Sequence, residues 1–133
     1  MPLITWNESL SVGYEPIDSQ HKMWINYINQ LHDAMGQGKG RQILGDVLDG
    51  LVWYTQTHFA FEEQVMQQHA YPGYAHQHAE HQAFAVRMLE LRSAFMTGEN
   101  VVTMDVMHSL RNWLADHIQA SDKALGAHLS AKT

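Results

Sequence analysis

Apolar side chains recur at three- and four-residue steps in four stretches of the chain, the spacing of helices that bury one face. In the first stretch His21, Trp24, Ile25, Ile28, Leu31 and Met35 fall on one stripe, and Asp18-Ser19 offer N-cap chemistry. A helix is predicted over residues 18–36, closed by Gly36-Gln37-Gly38-Lys39-Gly40. A longer helix over 41–69 carries Ile43, Val47, Leu48, Leu51, Val52, Thr55, Phe59, Val65 and Met66. Tyr71-Pro72-Gly73-Tyr74 interrupts the period, because proline has no amide hydrogen to donate inside a helix. Gln77, His81, Phe84, Met88, Leu91 and Phe95 then line a third helix, 75–96. Val102, Val106, Leu110, Trp113, Leu114, His117 and Ile118 line a fourth, 101–124. Residues 1–17, with Pro2, Gly13 and Pro16, hold no period and read as an extended arm. Its Trp6, Leu10, Val12 and Ile17 are expected to lie against the helices, and the tail from Gly126 reads as frayed. Four amphipathic helices with short connections predict an all-α, up-down-up-down antiparallel four-helix bundle, with 1–133 forming a single domain.

Composition narrows the function classes. No apolar run reaches the roughly 20 residues of a membrane span, so no membrane partner is expected. The start of the chain lacks a basic region and an apolar signal core, which favours a cytoplasmic location. The absence of cysteine excludes disulfides, thiolate zinc sites and iron–sulfur clusters, so any metal must rely on His, Asp and Glu. A net charge of −6 with only eight Lys and Arg argues against nucleic acid as a partner. The outlying number is ten histidines.

Some of these histidines sit where chemistry is plausible. Residues four apart on a helix differ by about 40° in direction, so His58 and Glu62 share a face and can reach one metal centre. A pair of this spacing also suits the partly exposed edge of a stripe. His117 lies on the apolar face with Leu110, Trp113 and Leu114, where an imidazole needs a partner. Asp122 is five positions on, roughly 140° around an α-helix, so both reach one centre only near a bent or terminating helix end. His21 opens the first helix beside Asp18. Trp24, Trp53, Phe59, Phe84 and Trp113 read as core, as do most of the methionines.

Taken together and in order, Asp18-Ser19-Gln20-His21, His58-x-x-x-Glu62, Tyr71-Pro72 leading to Glu80-His81, and Trp113-Leu114-x-x-His117-Ile118-x-x-x-Asp122 resemble the hemerythrins, in particular their stand-alone bacterial members. The resemblance runs from Trp6 to Asp122. It implies two iron ions in an oxo- or hydroxo-bridged, non-haem centre inside the bundle, and reversible O2 binding for storage, transport or delivery. By the same resemblance Glu62 and Asp122 bridge the irons, His21 and His58 bind the iron with an open position, His81 and His117 bind the other, and Leu114 lines the O2 pocket. No catalytic residue is implied. The expected partners are O2 and an oxygen-consuming enzyme or a reductase, and the expected state is a monomer.

One position departs from the family pattern. Where a third histidine is expected on the second iron, four residues before His81, this chain has Gln77. Its amide is expected to act as a weak oxygen ligand or to leave that position to water. His78, about 60° from His81, is the alternative ligand, whereas His76, about 140° away, should face solvent. Gln77 would weaken the second iron and favour faster autoxidation, and it keeps a di-iron oxidase or peroxidase-like activity, or O2 and redox sensing, as the competing reading. The Glu-x-x-His pairs of oxidase-type bundles are absent. His32, His69, His108 and His128 read as surface or ordinary packing. Glu63, Glu80 and Asp116 are candidates to accept from the outer nitrogens of metal-bound rings.

Overall fold

The computed structural model describes residues 3–38 and 40–131. Met1 and Pro2 of the arm, Lys39 of the glycine-rich turn, and Lys132 and Thr133 lie outside the described residues. Its helices are α1 (Glu15–Gly36), α2 (Arg41–Gln68), α3 (Tyr74–Met96) and α4 (Met104–His117), which runs through a π-helical turn (Ile118–Asp122) into α5 (Lys123–Ala131). The last three segments form one rod, since Ile118 and Lys123 keep right-handed helical backbone. The rod is the fourth member of a four-helix bundle, and no strand occurs among the described residues.

Cross-helix pairings run in opposite directions along neighbours. Gln20 meets His58 and Tyr27 meets Tyr54, so α1 and α2 are antiparallel. Glu63 with His78 and Asp49 with Arg92 set the same relation for α2 and α3. His81 with His117 and Arg87 with Ser109 do so for α3 and α4. The core is built from the periodic stripes: Ile17, Trp24, Ile28 and Leu31 from α1, Leu48, Leu51, Phe59 and Met66 from α2, Phe84 and Met88 from α3, and Met107, Leu110 and Leu114 from α4.

Several boundaries differ from the sequence expectation. The first helix begins at Glu15 rather than residue 18, with Pro16 in its opening turn, where no amide partner is needed. Asp18 is therefore not its N-cap. Its buried carboxylate accepts from the Val12 amide at 2.8 Å and the Ser11 hydroxyl at 2.6 Å, tying the arm to α1. The arm contains a 3-10 turn, Glu8–Leu10, capped by Asn7, and Asn29 of α1 holds both backbone groups of Ile4. The fourth helix begins at Met104, with the Thr103 hydroxyl accepting from the Val106 amide. Trp53 is 61% exposed, not core, because it lies about 100° around α2 from buried Val52. The tail from Gly126 is ordered helix, and Leu125 and Leu129 are buried.

Two local constraints follow from the backbone. Gly126 packs so closely on the arm that a Cβ there would lie 1.8 Å from the Val12 carbonyl oxygen. At the end of α2, Ala70 takes a left-handed conformation, φ 49°, while the Tyr71 amide donates to the Met66 carbonyl at 2.9 Å. This helix ending usually has glycine in the left-handed place, because a Cβ is strained there. Opposite stability effects are expected on thermal unfolding: Gly126→Ala lowers stability by roughly 2 kcal/mol through overpacking, and Ala70→Gly raises it by about 1 kcal/mol.

Candidate metal centre

Six side chains able to ligate a metal meet in the bundle interior. His21 comes from α1, His58 and Glu62 from α2, His81 from α3, His117 from the end of α4 and Asp122 from the end of the π turn. All are buried, Glu62 and Asp122 with no exposed surface. They form two groups that share their carboxylates, His21, His58, Glu62 and Asp122 in one and Glu62, His81, His117 and Asp122 in the other, each with donor atoms within 4.8 Å of one another.

The π turn explains the five-residue spacing from His117 to Asp122. Its backbone bonds reach five residues back, so residues at that interval come into register, as they do not in an α-helix. His117 Nε2 consequently lies 3.2 Å from Asp122 Oδ1. Regular α geometry ends at His117, and the chain continues through the π turn into α5, so the five-residue step falls where the α-helix is interrupted.

Each carboxylate is divided between the groups. Glu62 directs Oε2 to His58 Nε2 at 3.1 Å and His21 Nε2 at 3.8 Å, and Oε1 to His81 Nε2 at 3.1 Å and His117 Nε2 at 3.8 Å. Asp122 places Oδ2 2.9 Å from His21 Nε2, and Oδ1 near His117. His81 Nε2 and His117 Nε2 face each other at 3.3 Å. Among the described residues, His21 Nε2, His58 Nε2, Glu62 Oε2 and Asp122 Oδ2 are buried with no hydrogen-bond partner outside this donor set. Buried polar atoms seldom stay unsatisfied, and converging imidazole nitrogens and carboxylate oxygens are a donor set suited to a divalent transition metal. The residues therefore fit a pair of metal ions.

The surroundings fix the ring directions. One aromatic residue from each helix, Trp24, Phe59, Phe84 and Trp113, forms a contiguous cluster beside the polar layer, with centroid separations from 3.9 to 6.2 Å. Phe59 stacks on His81 at 3.9 Å, and Trp113 on His117 at 4.6 Å. Trp24 Nε1 donates to the buried Thr55 hydroxyl at 3.0 Å. His58 Nδ1 pairs with Gln20 Oε1 at 2.8 Å, and His81 Nδ1 with Glu63 Oε2 at 3.1 Å. Glu80, held by Ser121, stands 3.8 Å from His117 Nδ1. Glu63 thus pairs with a ring nitrogen as foreseen, Glu80 lies beside His117 Nδ1 beyond hydrogen-bond distance, and Asp116 is exposed. Gln20 was missed, although its position next to His21 was a usable signal.

Gln77 is buried on the same inward face as His81, and its Nε2 donates to Asp122 Oδ1 at 2.8 Å and to Glu62 Oε1 at 3.1 Å. His78 belongs to neither group. It stacks on Tyr74 and bonds Glu63, at the edge of a groove of about 300 Å³ between α2 and α3 that Phe59 and His81 also line. Leu114 is fully buried one turn before His117. His76 and His108 are exposed, and His69 and His128 pack together at the far end of α2.

Burial lowers the pKa of the His21 ring, but hydrogen bonds and charge from Asp122 and Glu62 outweigh it and raise the value to about 9. His117 follows the same balance, reaching about 10. For Glu62 burial acts upward, and His58, His117 and His21 outweigh it, holding the carboxyl well below its usual range. Burial dominates at His58 and lowers its pKa. Metal-free protein at neutral pH therefore carries protons on His21 and His117, and these must leave when a metal binds. Because both folded-state values are raised, their stabilisation is complete below about pH 6.5 and is lost as pH rises through about 9 and 10. The thermal midpoint of metal-free protein should fall over that window and that of metal-loaded protein should not. Calorimetric metal titration in buffers of different ionisation enthalpy should register about two protons released per chain at pH 7.

Residues 12–129 match the family described as Hemerythrin HHE cation binding domain. The chain is 36% identical to a bacteriohemerythrin of Stenotrophomonas maltophilia, over 98% of this chain and 84% of the relative. It is 37% identical to a bacteriohemerythrin of Methylococcus capsulatus, over 98% of this chain and 100% of the relative. A crystal structure of wild-type hemerythrin superposes with a TM-score of 0.91 at 35% identity, covering 96% of this chain and 98% of that one. Sequence, bundle and buried donor set agree, and the chain belongs to the hemerythrin family.

Proposed function

We infer that this protein binds O2 reversibly at a non-haem di-iron centre, for storage, transport or delivery in the cytoplasm. The observation that carries the reading is the division of both buried carboxylates between the two imidazole pairs. Two neighbouring cations repel one another, and shared anions offset that repulsion. Glu62 and Asp122 would be the shared anions, His21 and His58 would hold one iron, and His81 and His117 would hold the other. Gln77 stands where a further ligand to the second iron would be, and the bond from His78 to Glu63 keeps His78 out of that role. When bound, the iron pair supplies reversible two-electron exchange with O2.

The protein's own residues bind, orient and exclude water. Aromatic stacking and the outer bonds to Gln20 and Glu63 hold the rings in place. Leu114, with buried Ile118 and Met66, keeps apolar surface in the interior, and Leu114 lines the O2 pocket in this reading. The protein acts as a binding protein rather than an enzyme, with peroxidase-like side activity arising from Gln77, and it works as a monomer with an oxygen-consuming enzyme or reductase as partner. No described helix is long and apolar enough to cross a membrane.

Metal-free protein given ferrous iron without air should retain iron, and admitting O2 should produce a visible absorption band that removal of O2 reverses. An iron-loaded protein whose spectrum ignores O2 would sink the reading. Glu62→Gln should abolish iron retention and the band while leaving helix content by circular dichroism unchanged. Gln77→His should slow autoxidation by on the order of tenfold, the scale on which changes around a metal site act.

A further inference from the structure

We propose that the two metal positions are unequal by construction, and that the second, between His81 and His117, binds its metal weakly and accepts manganese(II) alongside iron(II). The proposal rests on the di-iron reading above and concerns what Gln77 does to it.

The four donor atoms facing the first position pair only with one another, His21 Nε2 with Asp122 Oδ2 at 2.9 Å and His58 Nε2 with Glu62 Oε2 at 3.1 Å, and no side chain from outside the set bonds them. The atoms facing the second position have a further partner. Glu62 Oε1 and Asp122 Oδ1 both accept from the single Gln77 Nε2, and the His81 and His117 rings meet each other at 3.3 Å. One amide nitrogen thus supplies hydrogens to the two oxygens that a second cation would otherwise bind.

A neutral amide nitrogen is not a metal ligand, so a cation can enter only if the amide gives up both bonds. Turning it over directs Oε1 inward and moves Nε2 to the buried place where Oε1 now lies, away from Glu62 and Asp122. Giving up two hydrogen bonds to buried carboxylates weakens binding by on the order of tenfold. No side chain from outside the donor set bonds Glu62 Oε2 or Asp122 Oδ2 at the first position.

The donor set also changes character. With Gln77 turned inward, the second position offers two imidazoles, two carboxylate oxygens and an amide oxygen. Oxygen donors suit manganese, whereas imidazole favours iron and the later metals. Glu63, bonded to His81, and the nearby Glu80 strengthen the two rings as donors and help keep the position in use. They do not restore the missing nitrogen.

The test is anaerobic titration of the metal-free full chain with iron(II) alone, manganese(II) alone and an equimolar mixture. After gel filtration, elemental analysis gives the metal content and electron paramagnetic resonance reports bound manganese. The expected result is a first iron bound at least about tenfold more tightly than the second, and a chain from the mixture holding one iron with substantial manganese. Gln77→His should take two irons of similar affinity and exclude manganese, and Gln77→Leu should keep the first iron and lose the second metal. Two irons of equal affinity in the unaltered protein, with no manganese from the mixture, would overturn this proposal and leave the di-iron reading intact. Failure to bind iron at all would overturn both. Circular dichroism on each variant identifies any that fail to fold.

Discussion

Glu62 and Asp122 sit in the middle of an apolar bundle with no exposed surface, and the rest of the structure answers to that placement. A buried carboxylate costs several kcal/mol unless positive charge and hydrogen bonds offset it. Every helix contributes to the offset. Four imidazoles surround the two carboxylates, and the Gln77 amide spans them. Without metal the compensation comes from protons on His21 and His117, which the carboxylates hold against the effect of burial. Metal ions replace those protons with a larger charge, so metal binding and the stability of this layer are one equilibrium viewed from two sides.

The same constraint accounts for the irregular backbone. Asp122 reaches its place only through the π turn, which has less favourable geometry than the α-helix on either side. Residues beyond it therefore have to be held down. Leu125 and Leu129 bury against the core, and the arm crosses at Val12, close enough that position 126 has no room for a side chain. Asp18 in turn fixes the arm through the Val12 amide and the Ser11 hydroxyl. The segment that resembles a loose amino-terminal extension and the one that resembles a frayed tail together brace the turn that carries Asp122.

An asymmetry runs through the outer contacts as well. The ring nitrogen of His58 that faces away from the centre meets a neutral amide, Gln20, whereas His81 and His117 have carboxylates beside theirs, Glu63 and Glu80. Anionic neighbours make an imidazole a better donor. The group whose carboxylate oxygens the Gln77 amide engages is thus the one with carboxylates beside its rings.

Periodicity was enough to read four helices and an antiparallel bundle, because a helix face repeats every three or four residues. The six residues that converge, and Gln77 as the departure among them, were legible through the ordered motifs that resemble the hemerythrins. Pattern failed where the outcome depends on groups distant in sequence. Asp18 looked like a cap because capping is local, yet its partners are in the arm, and Trp53 looked like core because it is large, yet it falls off the stripe. The five-residue step from His117 to Asp122 could not be resolved by helical arithmetic, since backbone held in a π turn depends on what packs against it. Which oxygen of each carboxylate faces which imidazole pair, and the engagement of the Gln77 amide with both, were decided only by tertiary structure. The sequence determines which groups are brought inward, but their mutual distances, on which hydrogen bonding and charge depend, exist only once four helices are packed together.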